Sequence, residues 1–162
     1  MMNDVPNPHG ITMREATRDD VARVVELIML GAAKQTRTAA EIAEEARHPS
    51  YLAAFEAISA SAYSTLLVAE LEGEVVGTLQ VTLTPGLVHR GRTRSRLESV
   101  HVDPARRSGG IGAVMVGYAV AFARERGAGL VELTSDKARE AAHRFYLRLG
   151  FKQTHEGFKL EL

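Results

Sequence analysis

The chain has no cysteine, no net charge and no long apolar run, and each absence excludes a class of protein. Without cysteine there are no disulfides, no thiolate metal ligands and no cysteine nucleophile, as suits a cytoplasmic protein. Lysine plus arginine equals aspartate plus glutamate at 20 each, so charge gives no argument for nucleic acid or an anionic membrane. No stretch reaches the roughly 18 apolar residues of a membrane helix, and no secretory signal opens the chain. We therefore expect a soluble, cytoplasmic protein.

What the chain does have is the size and composition of one globular domain. Its 162 residues, 45% apolar and 25% charged, suffice for a full hydrophobic core. Residues 1–10 contain two prolines and two asparagines, so they are predicted to form a flexible tail. We expect a single domain over residues 11–162.

The apolar periodicity and the turn residues predict a mixed α/β fold. Seven segments have the character of strands: 11–16, 64–71, 75–84, 93–102, 129–134 and a closing hairpin of 152–155 and 158–162. Thr17, Thr38 and Ser50 start the helices predicted after the first strand. A helix follows the fourth strand, and another follows the fifth and ends at Gly150 in a Schellman turn. The helix between the fourth and fifth strands makes them parallel neighbours, whereas the early strands are predicted to be antiparallel.

A glycine-rich turn joins a β-branched strand to a long amphipathic helix in the stretch Val100–Ala113, VHVDPARRSGGIGA. The NH groups of a first helical turn lack intrahelical acceptors, and the helix dipole adds positive charge, so such a turn can hold a phosphate. A P-loop would need Gly-Lys at a spacing that is absent here, and the dinucleotide pattern GxGxxG fails at Met115. The pattern that fits is Arg/Gln-x-x-Gly-x-Gly/Ala, formed by Arg107, Gly110 and Gly112.

This turn resembles the acetyl-CoA pyrophosphate loop of the GNAT acetyltransferase superfamily. The segment LTSDKAREAAHRFYLRLGF, residues 133–151, is similar to the family's second signature, in which FY precedes a short charged stretch and LGF. The resemblance covers nearly the whole chain from Ile11. It implies the GNAT fold, a central, mixed, mostly antiparallel twisted sheet of six to seven strands with helices on both faces. It also implies acetyl-CoA as cosubstrate and transfer of the acetyl group to an amine.

The resemblance also assigns the coenzyme to main-chain groups. The pantetheine arm would bond to the backbone of Val100, His101 and Val102, whose NH groups could polarise the thioester carbonyl. The pyrophosphate would lie on the NH groups of the turn, namely Arg107, Ser108, Gly109, Gly110, Ile111, Gly112 and Ala113. Many relatives carry Asn where this chain has Asp136, and an aspartate cannot donate a hydrogen bond as the amide does. Asp136 is therefore either a coenzyme contact or the N-cap of the helix that follows.

Two side chains are candidates for proton transfer. An amine must be neutral to attack although its ordinary pKa is about 10.4, and a departing thiolate of pKa about 8.5 benefits from a proton donor. Glu98 lies where many family members carry a glutamate base; its alternative role is an ion pair with Arg94 or Arg96. Tyr146, in the FY signature, is the candidate acid or the contact of the CoA sulfur; its alternative role is a core aromatic with a satisfied hydroxyl.

Since no cysteine can carry the acetyl group, we expect direct transfer within a ternary complex. The histidines show no HExxH spacing, so no metal is expected. An arginine cluster either favours a carboxylate-bearing acceptor or forms a solvated edge-strand face: Arg90, Arg92, Arg94 and Arg96. The acceptor, an amine of a small molecule or peptide, is left open. Alternatives are a larger acyl group and a CoA-binding regulatory module without catalysis, and a sheet edge or the closing hairpin offers a surface for a homodimer.

Overall fold

Five strands and six helices form in the part of the chain that a computed structural model describes, namely Asn7, residues 10–32 and residues 34–162. The strands are β1 (Thr12–Glu15), β2 (Ser64–Leu71), β3 (Glu74–Thr84), β4 (Thr93–Val102) and β5 (Ala128–Leu133). The helices are α1 (Val21–Leu30), α2 (Ala39–Glu45), α3 (Pro49–Ser59), α4 (Val88–Gly91), α5 (Ile111–Glu125) and α6 (Glu140–Arg148). The tail predicted at 1–10 lies outside the described residues except for Asn7 and Gly10. The chain divides into two compact units, Met1–Glu132 and Leu133–Leu162.

The strands form one sheet in the order β1-β2-β3-β4-β5. β1 pairs with β2, β2 with β3 and β3 with β4, each antiparallel. β5 lies beside β4, as the prediction of a crossover through a helix requires. The prediction of six to seven strands was wrong, because residues 152–162 form no strand. Apolar and polar residues alternate in 158–162, but a strand also needs a neighbour to complete its hydrogen bonds, and Phe158 and Leu160 are 94% and 86% exposed.

The two faces of the sheet carry different helices. Gly77 of β3 faces α5, because a Cβ placed on it would lie 2.4 Å from the sulfur of Met115. The next residue, Thr78, points to the opposite face, and His101 of β4 is paired with it. A Cβ placed on Gly31, at the C-terminal end of α1, would lie 1.9 Å from Nδ1 of His101. Helices α1 and α5 therefore cover opposite faces of the sheet.

The sequence predicts that Thr17 caps α1, but the α-helix begins at Val21, and Thr17 caps the 3-10 turn Arg18–Asp20 that precedes it. The NH and hydroxyl groups of Thr17 donate to Oδ2 of Asp20 at 2.7 and 3.0 Å, which fixes the turn before the helix. Val21, Val24 and Val25 of its first turns are buried, as the apolar spacing predicts. Thr38 caps α2 in the same way, through a reciprocal pair of contacts with Glu41.

Asp20 also ties this turn to the sheet. Its two carboxylate oxygens accept from Nη1 and Nη2 of Arg14, on β1, at 2.7 and 3.0 Å. Nε of Arg14 donates to Glu70 of β2 at 2.9 Å. The Arg14 hydrogen bonds lower the pKa of Asp20 from 3.8 to about 2; burial opposes this shift, and the Thr17 NH and hydroxyl groups add to it.

We expect Asp20→Asn to destabilise the fold by about 2 kcal/mol at neutral pH, the equivalent of this pKa shift. Because the folded pKa of about 2 lies below 3.8, the contribution is complete above about pH 4 and is lost as the pH falls toward 2. Urea unfolding of both proteins at pH 7, 4 and 2.5 measures the difference, which should shrink at the lowest pH. The exposed neighbour supplies the control, Asp19→Asn. Equal stability of Asp20→Asn and the parent chain at pH 7 would refute the assignment.

Candidate active site

A β-bulge interrupts β4 in the middle of the predicted site. Ser99 and Val100 stand opposite a single residue of β3, Leu79, because the register shifts by one position there. Ser99 has a φ of 50°, in the left-handed region. An extra residue in one strand lets side chains separated by the bulge face the same side of a sheet. Glu98 and His101 therefore both lie on the face that α1 covers in part.

The Glu98 side chain remains open to solvent on this face. It is 47% exposed, and Oε1 lies 3.9 Å from Nε of Arg96. This ion pair is the alternative role predicted for Glu98, but such an exposed and long contact contributes little stability. Arg94, the other predicted partner, lies 3.7 Å from Glu132 instead. The carboxylate is thus held by no strong partner and is accessible to an incoming group.

The His101 ring packs against the end of α1, a long-range contact that the sequence does not reveal. Gly31 ends this helix, and its Cα lies so close to the ring that the position has no room for a side chain. Gly31 has a φ of −85°, which any residue adopts, so its role here is to allow the close approach. The contact fixes the strand residue just after the bulge.

Replacing this glycine should therefore disturb the site through sterics alone. We expect Gly31→Ala to lower the free energy of unfolding by about 1–3 kcal/mol, as overpacking does. In the background of His101→Ala, the same change should cost almost nothing, because the ring has been removed. Gly86→Ala is the control, since the nearest atom would be 3.9 Å from its Cβ. Urea unfolding of the four variants measures the coupling, and additive effects would show that the ring does not occupy this space.

The turn after β4 is anchored by Asp103. Its Oδ1 accepts from the NH of Ala105 at 2.9 Å, and its Oδ2 accepts from Nη2 of Arg23, in α1, at 2.5 Å. Nε of Arg23 donates to the carbonyl of Val75 at 3.1 Å. Burial alone would raise the pKa of Asp103. The hydrogen bonds from the Ala105 NH group and the Arg23 guanidinium outweigh burial and lower this pKa. Arg23 thereby joins α1, β3 and the start of the glycine-rich turn.

The glycine-rich turn has the geometry of an anion site. Ser108 and Gly110 have φ values of 66° and 79°, and Gly110 is the N-cap of the 15-residue helix α5. Among the described residues, no NH group from 107 to 110 donates to a backbone carbonyl. The NH group of Ala113 is already bonded to the carbonyl of Gly110 at 3.0 Å, so this end of the predicted set is less available. The rest of the predicted turn lies at the positive end of the helix dipole.

Arg107 does not project from the turn as a free cation. Its Nε donates to the carbonyl of Val102 at 3.3 Å, which folds the side chain back toward the end of β4. Arg106 lies 3.7 Å from Glu74 in an exposed ion pair. The main chain of the turn, rather than these side chains, is therefore the part best placed to bind an anion.

The second unit carries the other two predicted site residues, Asp136 and Tyr146. Oδ1 of Asp136 accepts from the NH of Ala138 at 2.8 Å, and its carbonyl accepts from the NH of Arg139 at 3.0 Å. The ring of His143 contacts the same carbonyl at 2.8 Å. Asp136 was predicted as a possible helix N-cap, but α6 starts later, with Arg139 at that position. Asp136 stabilises the turn before the helix instead.

Tyr146 is held by the C-terminal turn of α6. The NH groups of Gly150 and Phe151 donate to the carbonyls of Leu147 and Tyr146 at 3.0 and 3.1 Å, which confirms the predicted Schellman turn. The Tyr146 ring contacts the ring of Phe151 with centroids 5.7 Å apart and that of Phe145 at 5.1 Å. Burial raises the pKa of its hydroxyl, and Arg139 opposes the shift. No hydrogen bond of this hydroxyl is formed with any described residue.

A search of the described residues finds no group of three or more His, Asp or Glu side chains that could hold a metal ion. None of the helices in that part of the chain is long and apolar enough to span a membrane.

The chain belongs to the Acetyltransferase (GNAT) family, whose sequence model matches residues 32–151. The predicted family is thereby confirmed, and the mixed α/β architecture agrees with it. GNAT acetyltransferases use acetyl-CoA.

Relatives of known name match about half of the chain. Over 86 residues it is 38% identical to the aminoalkylphosphonate N-acetyltransferase of Salmonella typhimurium. This alignment covers 53% of this chain and 55% of that protein. Over 90 residues it is 30% identical to the glucosamine 6-phosphate N-acetyltransferase of Trypanosoma brucei brucei. This alignment covers 56% of this chain and 59% of that protein. The chain thus spans little more than half the length of these curated relatives.

One solved structure is similar over almost its full length. The crystal structure of a transcriptional regulator from Bacillus halodurans C-125 is 39% identical and superposes with a TM-score of 0.84. The match covers 94% of this chain and 99% of that one. The similarity therefore extends beyond the residues that the family model matches.

Proposed function

We propose that this chain is an acetyl-CoA-dependent N-acetyltransferase that transfers the acetyl group directly to a primary amine of a small molecule or peptide. The observation that carries the proposal is the turn at the start of α5 in a chain of the GNAT family. The curated relatives support a small acceptor, since both are named for small amines that carry a phosphonate or a phosphate. A cytoplasmic location and a homodimer belong to the same proposal as predictions.

The residues of the first unit fit the coenzyme. The NH groups of residues 107–112 would hold the pyrophosphate, because the positive φ of Ser108 and Gly110 turns the main chain at a helix N-terminus. The backbone of residues 100–102, directly after the bulge, would bond the pantetheine arm. When bound, acetyl-CoA supplies the acetyl group as a thioester. NH groups of this strand would polarise its carbonyl oxygen.

Two side chains would move protons. The Glu98 carboxylate accepts a proton from the acceptor's ammonium group, directly or through a water, so that the neutral amine can form the new C–N bond. As the C–S bond breaks, the Tyr146 hydroxyl donates a proton to the departing sulfur, and the second proton that the nitrogen loses on becoming an amide restores the phenol. Its raised pKa keeps the phenol protonated at neutral pH. The exposure of Glu98 and the unbonded hydroxyl of Tyr146 support these roles.

The similarity to a transcriptional regulator from Bacillus halodurans favours a second candidate, a regulatory module that binds CoA without catalysis. The two candidates differ in one measurable respect. An enzyme releases free CoA from acetyl-CoA only when an acceptor amine is present, whereas a binding module releases none.

The test is a thiol assay for free CoA with acetyl-CoA and a panel of small amines and peptides. We expect amine-dependent release of CoA. Mass spectrometry should show an acetylated product about 42 Da heavier than the acceptor, because an acetyl group replaces a hydrogen. Propionyl-CoA in the same assay measures the acyl-chain preference. Binding of CoA with no turnover for any amine would favour the regulatory module.

A further inference from the structure

Two exposed arginines, Arg94 and Arg96, lie on an interior strand of the sheet, β4. β4 lies between β3 and β5 in the sheet, so Arg94 and Arg96 do not lie on an edge strand. The explanation of the arginine cluster as a charged edge that resists aggregation therefore does not apply. Charges on the face of an interior strand require another explanation.

The structure divides the cluster of four. Arg90 lies in α4 with a φ of 62°, and Arg92 lies before β4 with its side chain against Gly129, 3.1 Å from where a Cβ would be. Only Arg94 and Arg96 project from the strand, and they are 49% and 45% exposed. The intervening Ser95 is buried, which confirms that the two arginines point to the opposite, open face.

This open face also carries Glu98. Residues 94, 96 and 98 alternate with the buried residues of β4, so their side chains follow one another along the strand. Arg96 is paired across the strands with Thr82, and Glu98 with Gln80. We call this set the acceptor face: Gln80, Thr82, Arg94, Arg96, Glu98 and Glu132.

Charges of both signs alternate on the acceptor face. Arg94 lies 3.7 Å from Glu132, and Arg96 lies 3.9 Å from Glu98. Both distances exceed those of a strong charge-assisted hydrogen bond, about 2.7–2.9 Å. The guanidinium groups therefore keep donors that their partners do not satisfy, and an anion can bind them.

We infer that the acceptor is a small zwitterion, an amine with a phosphonate, phosphate or carboxylate a few bonds away. This inference rests on the proposed acetyl transfer. Arg94 and Arg96 bind the anionic group, and Glu98 faces the amine. Successive same-face residues of a strand have Cα atoms on the order of 7 Å apart, so one molecule of a few carbon atoms reaches both. The guanidinium fork binds such oxygens in a bidentate manner.

The test compares acceptors that share an amine and differ in the second group: 2-aminoethylphosphonate, β-alanine and ethanolamine. We expect kcat/KM for one or both anionic amines to exceed that of ethanolamine by at least about tenfold, as one charge-assisted contact gives. Ethylphosphonate, which lacks the amine, should compete with the acceptor and not with acetyl-CoA. This competition distinguishes the acceptor face from the turn before α5.

The variant Arg96→Gln should reduce the preference for the anionic amine over ethanolamine by about tenfold, and adding Arg94→Gln should reduce it further. Arg124→Gln, an exposed arginine of α5, is the matched control and should leave the preference unchanged. Circular dichroism checks that each variant folds. The comparison of acceptors and the competition by ethylphosphonate use the parent chain, so they test the inference even where a variant fails to fold.

Equal kcat/KM for ethanolamine and both anionic amines would overturn this inference while leaving acetyl transfer intact. An equal loss for all acceptors in Arg96→Gln would also overturn it, because the arginine would then act on something other than the anion. If no amine is acetylated although CoA binds, the proposed function fails, and the inference falls with it.

Discussion

Replacing Tyr146 by phenylalanine is expected to lower kcat by about 100-fold or more, the contribution typical of a positioned acid. Phenylalanine keeps the ring that packs against Phe145 and Phe151 and removes only the hydroxyl. CoA affinity should therefore change much less than the rate. Steady-state kinetics and calorimetric titration with CoA separate the two effects.

The pKa of Tyr146 gives a second readout. Because burial raises this pKa above its ordinary value of 10.0, the hydroxyl remains protonated throughout the neutral and mildly alkaline range. A fall of kcat between pH 7 and 9 would therefore not come from Tyr146. Tyr63→Phe, at a tyrosine that is 55% exposed, is the control and should leave the rate unchanged. An unchanged rate in Tyr146→Phe would remove this residue from the acid role.

Replacing Glu98 by glutamine should lower kcat/KM at neutral pH by about 100-fold, since glutamine cannot accept the amine's proton. The loss should shrink as the pH rises toward the amine's pKa of about 10.4, because more of the acceptor is then already neutral. The pH profile of kcat/KM for the parent chain and the variant tests both expectations.

The control for Glu98→Gln is Glu72→Gln, which removes an exposed carboxylate from the turn between β2 and β3. It should leave the profile unchanged. A Glu98→Gln loss that is the same at every pH would contradict the role of base. Such a result would place Glu98 in acceptor binding or in local structure instead.

Local signals predicted most of the secondary structure. β2 and β4 have the bounds predicted for them, because turn residues directly follow each strand, namely Glu72-Gly73 and Asp103-Pro104. The turn that leads into α1 and the start of α2 follow from Thr17 and Thr38, whose side chains bond within three residues. The Schellman turn at Gly150 is equally local. In each case the interaction that decides the structure lies within one turn of the residue.

The features that the sequence did not reveal depend on contacts distant in the chain. The bulge at Ser99 is set by the register between β3 and β4, and serine gives no sign of a positive φ. The packing of His101 on Gly31 joins residues 70 positions apart, as the difference of their numbers shows. The closing hairpin was predicted from two short segments joined by Glu156-Gly157, and such a local turn signal cannot show whether a neighbouring strand is available.

In the candidate site, too, the sequence predicted the parts whose geometry is local and not those that depend on distant contacts. The glycine-rich turn carries its geometry in its own residues, so its position at the start of α5 follows from the sequence. The anchoring of that turn through Asp103 and Arg23 does not, because it needs α1 and β3 to be in place. The position of β4 inside the sheet, which changes the interpretation of Arg94 and Arg96, also requires the assembled strands.

The most direct test of the whole account is calorimetric titration of the intact, folded chain with CoA. If the main-chain NH groups before α5 hold the pyrophosphate, the titration gives a saturable heat with about one CoA bound per chain. Circular dichroism and a cooperative thermal transition establish that the sample is folded. The absence of any binding heat, across several temperatures, from such a sample would contradict the coenzyme site and the acetyl transfer built on it.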